Sequence, residues 1–211
     1  MHRVITPKIL YWGTPVVLIS TLNEDGSPNL APMSSAWWLG QQAMLGMSGR
    51  SHSVRNLRRD PRCVLNLPSA DLVDAVDRLA LTTGSDPVPE YKAAMGYRHA
   101  RDKFAVAGLT PVPSERVGAP RVAECAVQME AEVVAFHRFG AEDSHLVGME
   151  ARILRVHADP RIVVPGTDSY VDPDRWHPLI MSFCEFYGLG GKVHPSRLGE
   201  VYGPPVEAAA A

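Results

Sequence analysis

The chain has 211 residues, 45% of them hydrophobic, with 21 basic against 23 acidic side chains and a formal charge of -2. That length suits a single domain over residues 1–211 with a substantial core, and the even balance excludes the basic face that a nucleic acid or other polyanion requires. No apolar run approaches the roughly 20 residues that span a bilayer, Met1–Lys8 lacks the apolar segment of a leader, and Cys63, Cys125 and Cys184 stand far apart among apolar neighbours. The expectation is a cytoplasmic protein with reduced core thiols and neither a membrane nor a nucleic-acid partner.

Val16–Leu22 is short, continuous, apolar and β-branched, which predicts a strand buried on both faces. Asn23-Glu24-Asp25-Gly26 supplies a hairpin turn, Pro28–Ala36 the return strand, Leu39–Gln42 a second turn and Ala43–Met47 a third strand. This is an antiparallel meander, not a βαβ unit. Trp37 and Trp38, adjacent on a strand, must point to opposite faces. Ser51–Asp60 reads as a short helix stopped by Pro61, Cys63–Leu67 as a strand, and Ala70–Leu81 as a helix whose Asp71, Asp74 and Asp77 form a solvated face.

Prolines and glycines break up residues 84–120 into an excursion without its own core, placed to act as a lid. Ala126–Phe136 and Val147–Val156 are long alternating strands joined through Gly140–Asp143. The fold class is therefore mainly β with inserted helices, six antiparallel strands closed into a barrel so that no edge is exposed. Glu207–Ala211, after two prolines, reads as a frayed tail.

Ser48-Gly49-Arg50-Ser51-His52-Ser53 lies where the helix begins. Free N–H groups and the positive end of the helix dipole favour an anion there. Ser51 as a simple N-cap is the plain alternative, but three hydroxyls exceed what one cap uses, and Gly49 lets a ligand approach the backbone. Asp143-x-His145 marks the start of a strand, where both side chains point the same way; a surface turn histidine is the alternative. His137, His157, His177 and His194 match no metal-ligand spacing, so no metal is expected. No Gly-x-Ser-x-Gly elbow surrounds Ser34, and no Gly-x-Gly-x-x-Gly follows a strand.

In order along the chain, Pro15–Thr21, Asp25–Ser35, Arg50–Leu57, Val64–Pro68, Lys103-Phe104 with Gly108-Leu109, Ala123–Cys125 and Asp143–Gly148 together resemble the flavin reductase-like, FMN-binding split-barrel family, the group that includes flavoredoxin. The resemblance covers residues 10–160 well and the C-terminal fifth loosely. It implies FMN at a homodimer interface, with its ring against the Asn29–Ser35 strand and its phosphate at Ser51. Asn29, Ala31, Pro32, Met33, Ser34 and Ser35 would then face the ring or ribityl chain, and Ser48, Arg50, Ser51, His52, Ser53 and Asn56 the phosphate end. His52 stands where relatives often carry a small hydroxyl residue. His145 becomes the candidate catalytic residue, beside a transiently docked NADH or NADPH, and residues 161–203, with the aromatic Phe183–Tyr187, become a dimer-contact segment. The implied activity is NAD(P)H-dependent flavin reduction with electrons passed onward, in some cases to an acceptor protein. A flavin-binding electron carrier without a nicotinamide site, or a sister protein using another cofactor, remain the alternatives.

Overall fold

The computed structural model describes residues 2–204; Met1 and the tail Glu207–Ala211 lie outside them. Trp12–Pro15 (β1) leads into Val17–Leu22 (β2), and the turn at Asn23–Gly26 returns the chain as Pro28–Met33 (β3), Val17 opposite Met33 and Leu22 opposite Pro28. Gly26 makes this turn at φ +79°, a conformation glycine adopts without steric cost. Ala36–Leu39 (β4) and Gln42–Ser48 (β5) form the next hairpin, followed by His52–Arg59 (α1) and Arg62–Leu67 (β6). A 3-10 turn at Ala70–Leu72 continues into Val73–Arg78 (α2), which stops short of the expected Leu81 because that residue takes φ +53°.

The excursion holds Thr82–Thr83 (β7), Glu90–Ala93 (α3), Arg98–His99 (β8), Lys103–Ala107 (α4), Pro111–Val112 (β9) and Arg121–Val122 (β10). Val127–Phe139 (β11) and Leu146–Ala158 (β12) are the two long strands. Ile180–Ser182 (β13) and Glu185–Tyr187 (β14) close the C-terminal part as a hairpin on β1. None of the described helices is long and apolar enough to cross a membrane.

The main sheet has seven strands in the order β3-β2-β6-β11-β12-β5-β4. Its edge strands, β3 and β4, are consecutive in the chain and joined only by Ser34 and Ser35. Three Cα–Cα steps reach at most about 11 Å, whereas seven flat strands would hold their edges about 29 Å apart. The sheet must therefore curl until its edges meet at that link. Among the described residues no ladder joins β3 to β4, so the expected six-stranded closed barrel is corrected to a seven-stranded curled sheet that is split at Ser34-Ser35. The expected single strand over Pro28–Ala36 becomes two because the Ser35 carbonyl turns to accept the Gly46 N–H at 2.7 Å. Gly46 is needed there: a Cβ at this position would stand 3.0 Å from that of Ser35.

Alternation along β2 feeds two cores. Val17 and Ile19 pack with Leu45, Leu65, Met149 and the α1 residues Val54 and Leu57 inside the curl, while Leu18 faces Leu30, Val76, Leu79, Phe104 and Leu179 outside it. The excursion thus shares the second core through Phe104, Ala107 and Leu109. Its next loop is fastened by Glu130 of β11, which accepts the backbone N–H groups of Glu115, Arg116 and Val117 and contacts His157 Nε2 at 2.6 Å. Cys63 and Cys125 are buried as expected, but Cys184 is exposed; it sits at φ +68° in the tight turn between β13 and β14, where a side chain has no core to enter. The Phe183 ring of that turn packs edge-on against Trp12, centroids 4.5 Å apart.

Candidate functional site

Ser51 caps α1, its hydroxyl accepting the Val54 N–H at 3.2 Å, and Ser48 Oγ accepts the Arg50 N–H at 3.3 Å. Both hydroxyls keep their own hydrogens for another acceptor, and the first-turn N–H groups have no helical partner. The Gly49 N–H is tied to the His145 carbonyl at 2.6 Å. Asn29, Ser53 and Asn56 lie beneath this turn and are buried. Asn29 Nδ2 donates to Thr21 Oγ1 and Ser53 Oγ, and Asn56 Nδ2 to Thr21 Oγ1 and Asn23 Oδ1. They anchor the helix start to β2 and β3.

Cations gather around the same turn from three segments. Arg55 on α1 donates to Ser85 Oγ at 2.6 Å and to His52 Nδ1 at 3.1 Å; Lys92 follows on α3 and Lys103 on α4. Burial, then Arg55, Lys103, Lys92 and Arg59, push the His52 pKa down to about 4. Burial and the neighbouring Lys92 lower that of Lys103 to about 8, although an unburied lysine titrates near 10.4. Among the described residues neither lysine nor Arg50 or Arg55 forms an ion pair. Arg50 lies over the Tyr91 ring at 5.9 Å. The sequence motifs include Arg55 and Lys103 without marking them as site residues, and nothing in the local pattern singles out Lys92 or Ser85. Lys103 did carry a signal, since it is the one charge in an apolar helix, Lys-Phe-Ala-Val-Ala.

A cleft of about 420 Å³ runs from the split to this turn, lined by Pro32, Met33, Ser34, Ser35, Met47 and Ser48 and closed by Tyr11, Tyr97 and Phe186. Lys92 Nζ sits 5.1 Å from the centroid of the Tyr97 ring, so cleft and cations are contiguous. Ala31 is not part of the cleft; it packs on the inner core. A second cleft of about 730 Å³ shares Tyr11, Ser35, Met47 and Ser48 and opens over Trp37, Phe139 and Leu146. Trp37 is 56% exposed while Trp38 packs on the core, as their alternation requires. The side chains of Asp143 and His145 are exposed and form no hydrogen bond with each other, so the expected pair does not meet. His145 nonetheless stands beside the anion turn, its carbonyl holding Gly49.

A group with an anionic end and a flat, largely apolar body suits this arrangement: hydroxyls, N–H groups and unneutralised cations lie at one end, and a cleft of matching polarity at the other. A flavin nucleotide has that chemistry, and the donor set fits it.

Residues 11–170 match the family model described as flavin reductase like domain. The chain is 39% identical over 189 residues to the uncharacterized protein YdfE of Bacillus subtilis, covering 90% of each chain. Its structure resembles flavoredoxin of Desulfovibrio vulgaris (Miyazaki F), with a TM-score of 0.75 at 22% identity over 93% of this chain and 98% of that one. It also resembles an NADH:FAD oxidoreductase of Streptomyces globisporus, with a TM-score of 0.62 at 12% identity over 85% and 88% of the two chains. With the family model spanning most of its length, the chain belongs to the flavin reductase-like family.

Proposed function

We propose that the protein is an FMN-binding oxidoreductase that takes hydride from NADH or NADPH and delivers electrons to a separate acceptor. The observation that carries this reading is the cluster of Arg55, Lys92 and Lys103 near the start of α1, none of which forms an ion pair among the described residues, with Lys92 against the Tyr97 ring that lines the cleft along the Ser34-Ser35 split. When bound, the flavin supplies hydride and single-electron chemistry. The protein's part is to hold and to select. Ser48, Ser51, the first-turn N–H groups, Arg55, Lys92 and Lys103 take the terminal phosphate, a monophosphate suiting FMN. Pro32, Met33, Ser34, Ser35 and Met47 form the wall for the ring, and Tyr11, Tyr97 and Phe186 limit water. His145, beside the turn, orients the nicotinamide, and a second copy of the chain covers the apolar cleft at Trp37, Phe139 and Leu146.

Titrating flavin-free protein with FMN, FAD and riboflavin tests the binding reading: FMN should bind at least about tenfold more tightly than riboflavin through the charge-assisted phosphate contacts. Equal affinities would remove the phosphate assignment. One observation favours a second reading, an electron carrier without its own nicotinamide site: Asp143 does not orient His145. Anaerobic stopped-flow reduction of the loaded protein separates the two. In a reductase NADH or NADPH bleaches the bound flavin, and His145→Ala slows this by about 10- to 1,000-fold; a carrier shows no reduction by either nucleotide.

A further inference from the structure

His52 lies in the anion turn, yet its hydrogen bonds give it a different task. Its Nε2 meets Asn23 Oδ1 at 2.7 Å and its Nδ1 meets Arg55 Nη2 at 3.1 Å. Arginine can only donate, so two arginines fix the direction of the whole chain of bonds. Arg59 Nη1 donates to Asn56 Oδ1 at 3.3 Å, which turns Asn56 Nδ2 toward Asn23 Oδ1 at 3.0 Å and makes that oxygen the acceptor for His52 Nε2–H. At the other end Arg55 requires a lone pair on Nδ1. Only the neutral imidazole protonated at Nε2 satisfies both ends; a second proton would set N–H against N–H.

The ring is also fixed in place. A Cβ on Gly84 would come within 2.6 Å of His52 Cδ2 and 2.8 Å of Nε2, so the excursion backbone lies against the imidazole where any larger residue would displace it. The charged groups that act on the ring, Arg55 and Arg59 on α1, Lys92 on α3 and Lys103 on α4, are all cationic, and with burial they hold its pKa near 4. Arg55 Nη2 meanwhile also reaches Ser85 Oγ at 2.6 Å, leaving the other guanidinium N–H groups for a ligand.

We propose that His52 is a positioning residue: a neutral, single-tautomer spacer between Asn23 and Arg55 that aims the guanidinium at the flavin phosphate without touching the phosphate itself. This assignment rests on the proposed phosphate site and adds which group binds and which one aims it.

The test compares FMN and riboflavin affinities for the full-length protein and its variants, together with the 15N NMR signals of His52 at pH 7 before and after FMN is added. The Asn carbonyl replaces Nδ1 as an acceptor and the Gln amide replaces Nε2 as a donor. His52→Asn should therefore keep FMN affinity within about threefold, whereas His52→Ala, His52→Gln and Gly84→Ala should each lose about tenfold or more. Riboflavin affinity should be unchanged in every variant that folds, and His52 should remain the Nε2–H tautomer with FMN bound. Conversion of His52 to the imidazolium on adding FMN would overturn the assignment, as would an FMN-to-riboflavin preference in His52→Ala equal to that of the wild type. If the wild type shows no such preference, the phosphate site itself has failed and this assignment falls with it. A wild-type preference that survives His52→Ala defeats the positioning role alone.

Discussion

Glu130 and Lys103 are both buried charges, and the protein treats them in opposite ways. Glu130 is fully buried, but three loop N–H groups and His157 surround its carboxylate. Burial pushes its pKa up, and these donors outweigh burial and hold it below the usual carboxylate range. Lys103 is 3% exposed and has no counter-ion among the described residues, while Lys92 nearby adds repulsion. Taking an ion out of water costs several kcal/mol unless partners replace the water. The chain meets this cost within itself at Glu130, whereas Lys103 has no carboxylate partner among the described residues, which suits the phosphate site proposed above. The first charge fastens a loop; the second is assigned to the ligand by that proposal.

The largest break in that contrast should come from Glu130→Ala, which orphans three N–H groups and His157. Denaturant unfolding should show a loss of about 3–5 kcal/mol, with flavin affinity per folded molecule unchanged. A loss of FMN binding at full stability would mean that the loop belongs to the site. Lys103→Met should behave in the opposite way. FMN affinity, measured by fluorescence titration, should drop by about 10- to 100-fold for one lost charged contact, while the flavin-free protein melts higher because an uncompensated buried charge has been removed.

The two groups also act on stability in separate pH windows, and in each of them stability rises with pH. With its folded pKa lowered, Glu130 contributes stability at neutral pH that is lost as pH falls through its folded value. Lys103 is lowered as well, to about 8, and since the unfolded chain keeps its lysine protons to about pH 10.4, flavin-free stability should rise between those values. Bound phosphate favours the protonated amine. FMN affinity should therefore weaken by up to about tenfold per unit above pH 8, riboflavin affinity should stay flat across the same range, and Lys103→Met should abolish the difference. The smallest effect concerns the cap: Ser51→Ala should cost about 1 kcal/mol of stability and weaken FMN more than riboflavin. Equal weakening of both flavins would leave Ser51 with the capping role alone.

Local chemistry made much of the frame legible. The β-branched run at Val17–Leu22, the Asn23–Gly26 turn, the Ser51 cap and the alternation of β11 and β12 each follow from short-range rules that tertiary contacts reinforce. The hydroxyl-rich turn at Ser48–Ser53 was equally visible, because a helix start presents its free N–H groups within a few residues. Its partners were not. Lys92 and Lys103 lie some 40 to 50 positions further along, and proximity across that separation is a property of packing.

The sequence alone determined where β2, β5, β6, β11 and β12 run, where the first helix begins and that free N–H groups gather there, since each depends on neighbours within a turn or two. Only the tertiary structure decided that the strand after Pro28 breaks at Ser34-Ser35, because the break exists to let a seven-stranded sheet curl until its edges meet. It alone decided that Asn29, Ser53 and Asn56 brace the turn from below, that Cys184 is left exposed in a hairpin turn, and that Asp143 and His145 stay apart. It also gathered cations of α1, α3 and α4 that form no ion pair among the described residues, because the second core of Leu18, Leu30, Phe104 and Ala107 pulls the excursion onto the sheet and carries Lys103 in with it.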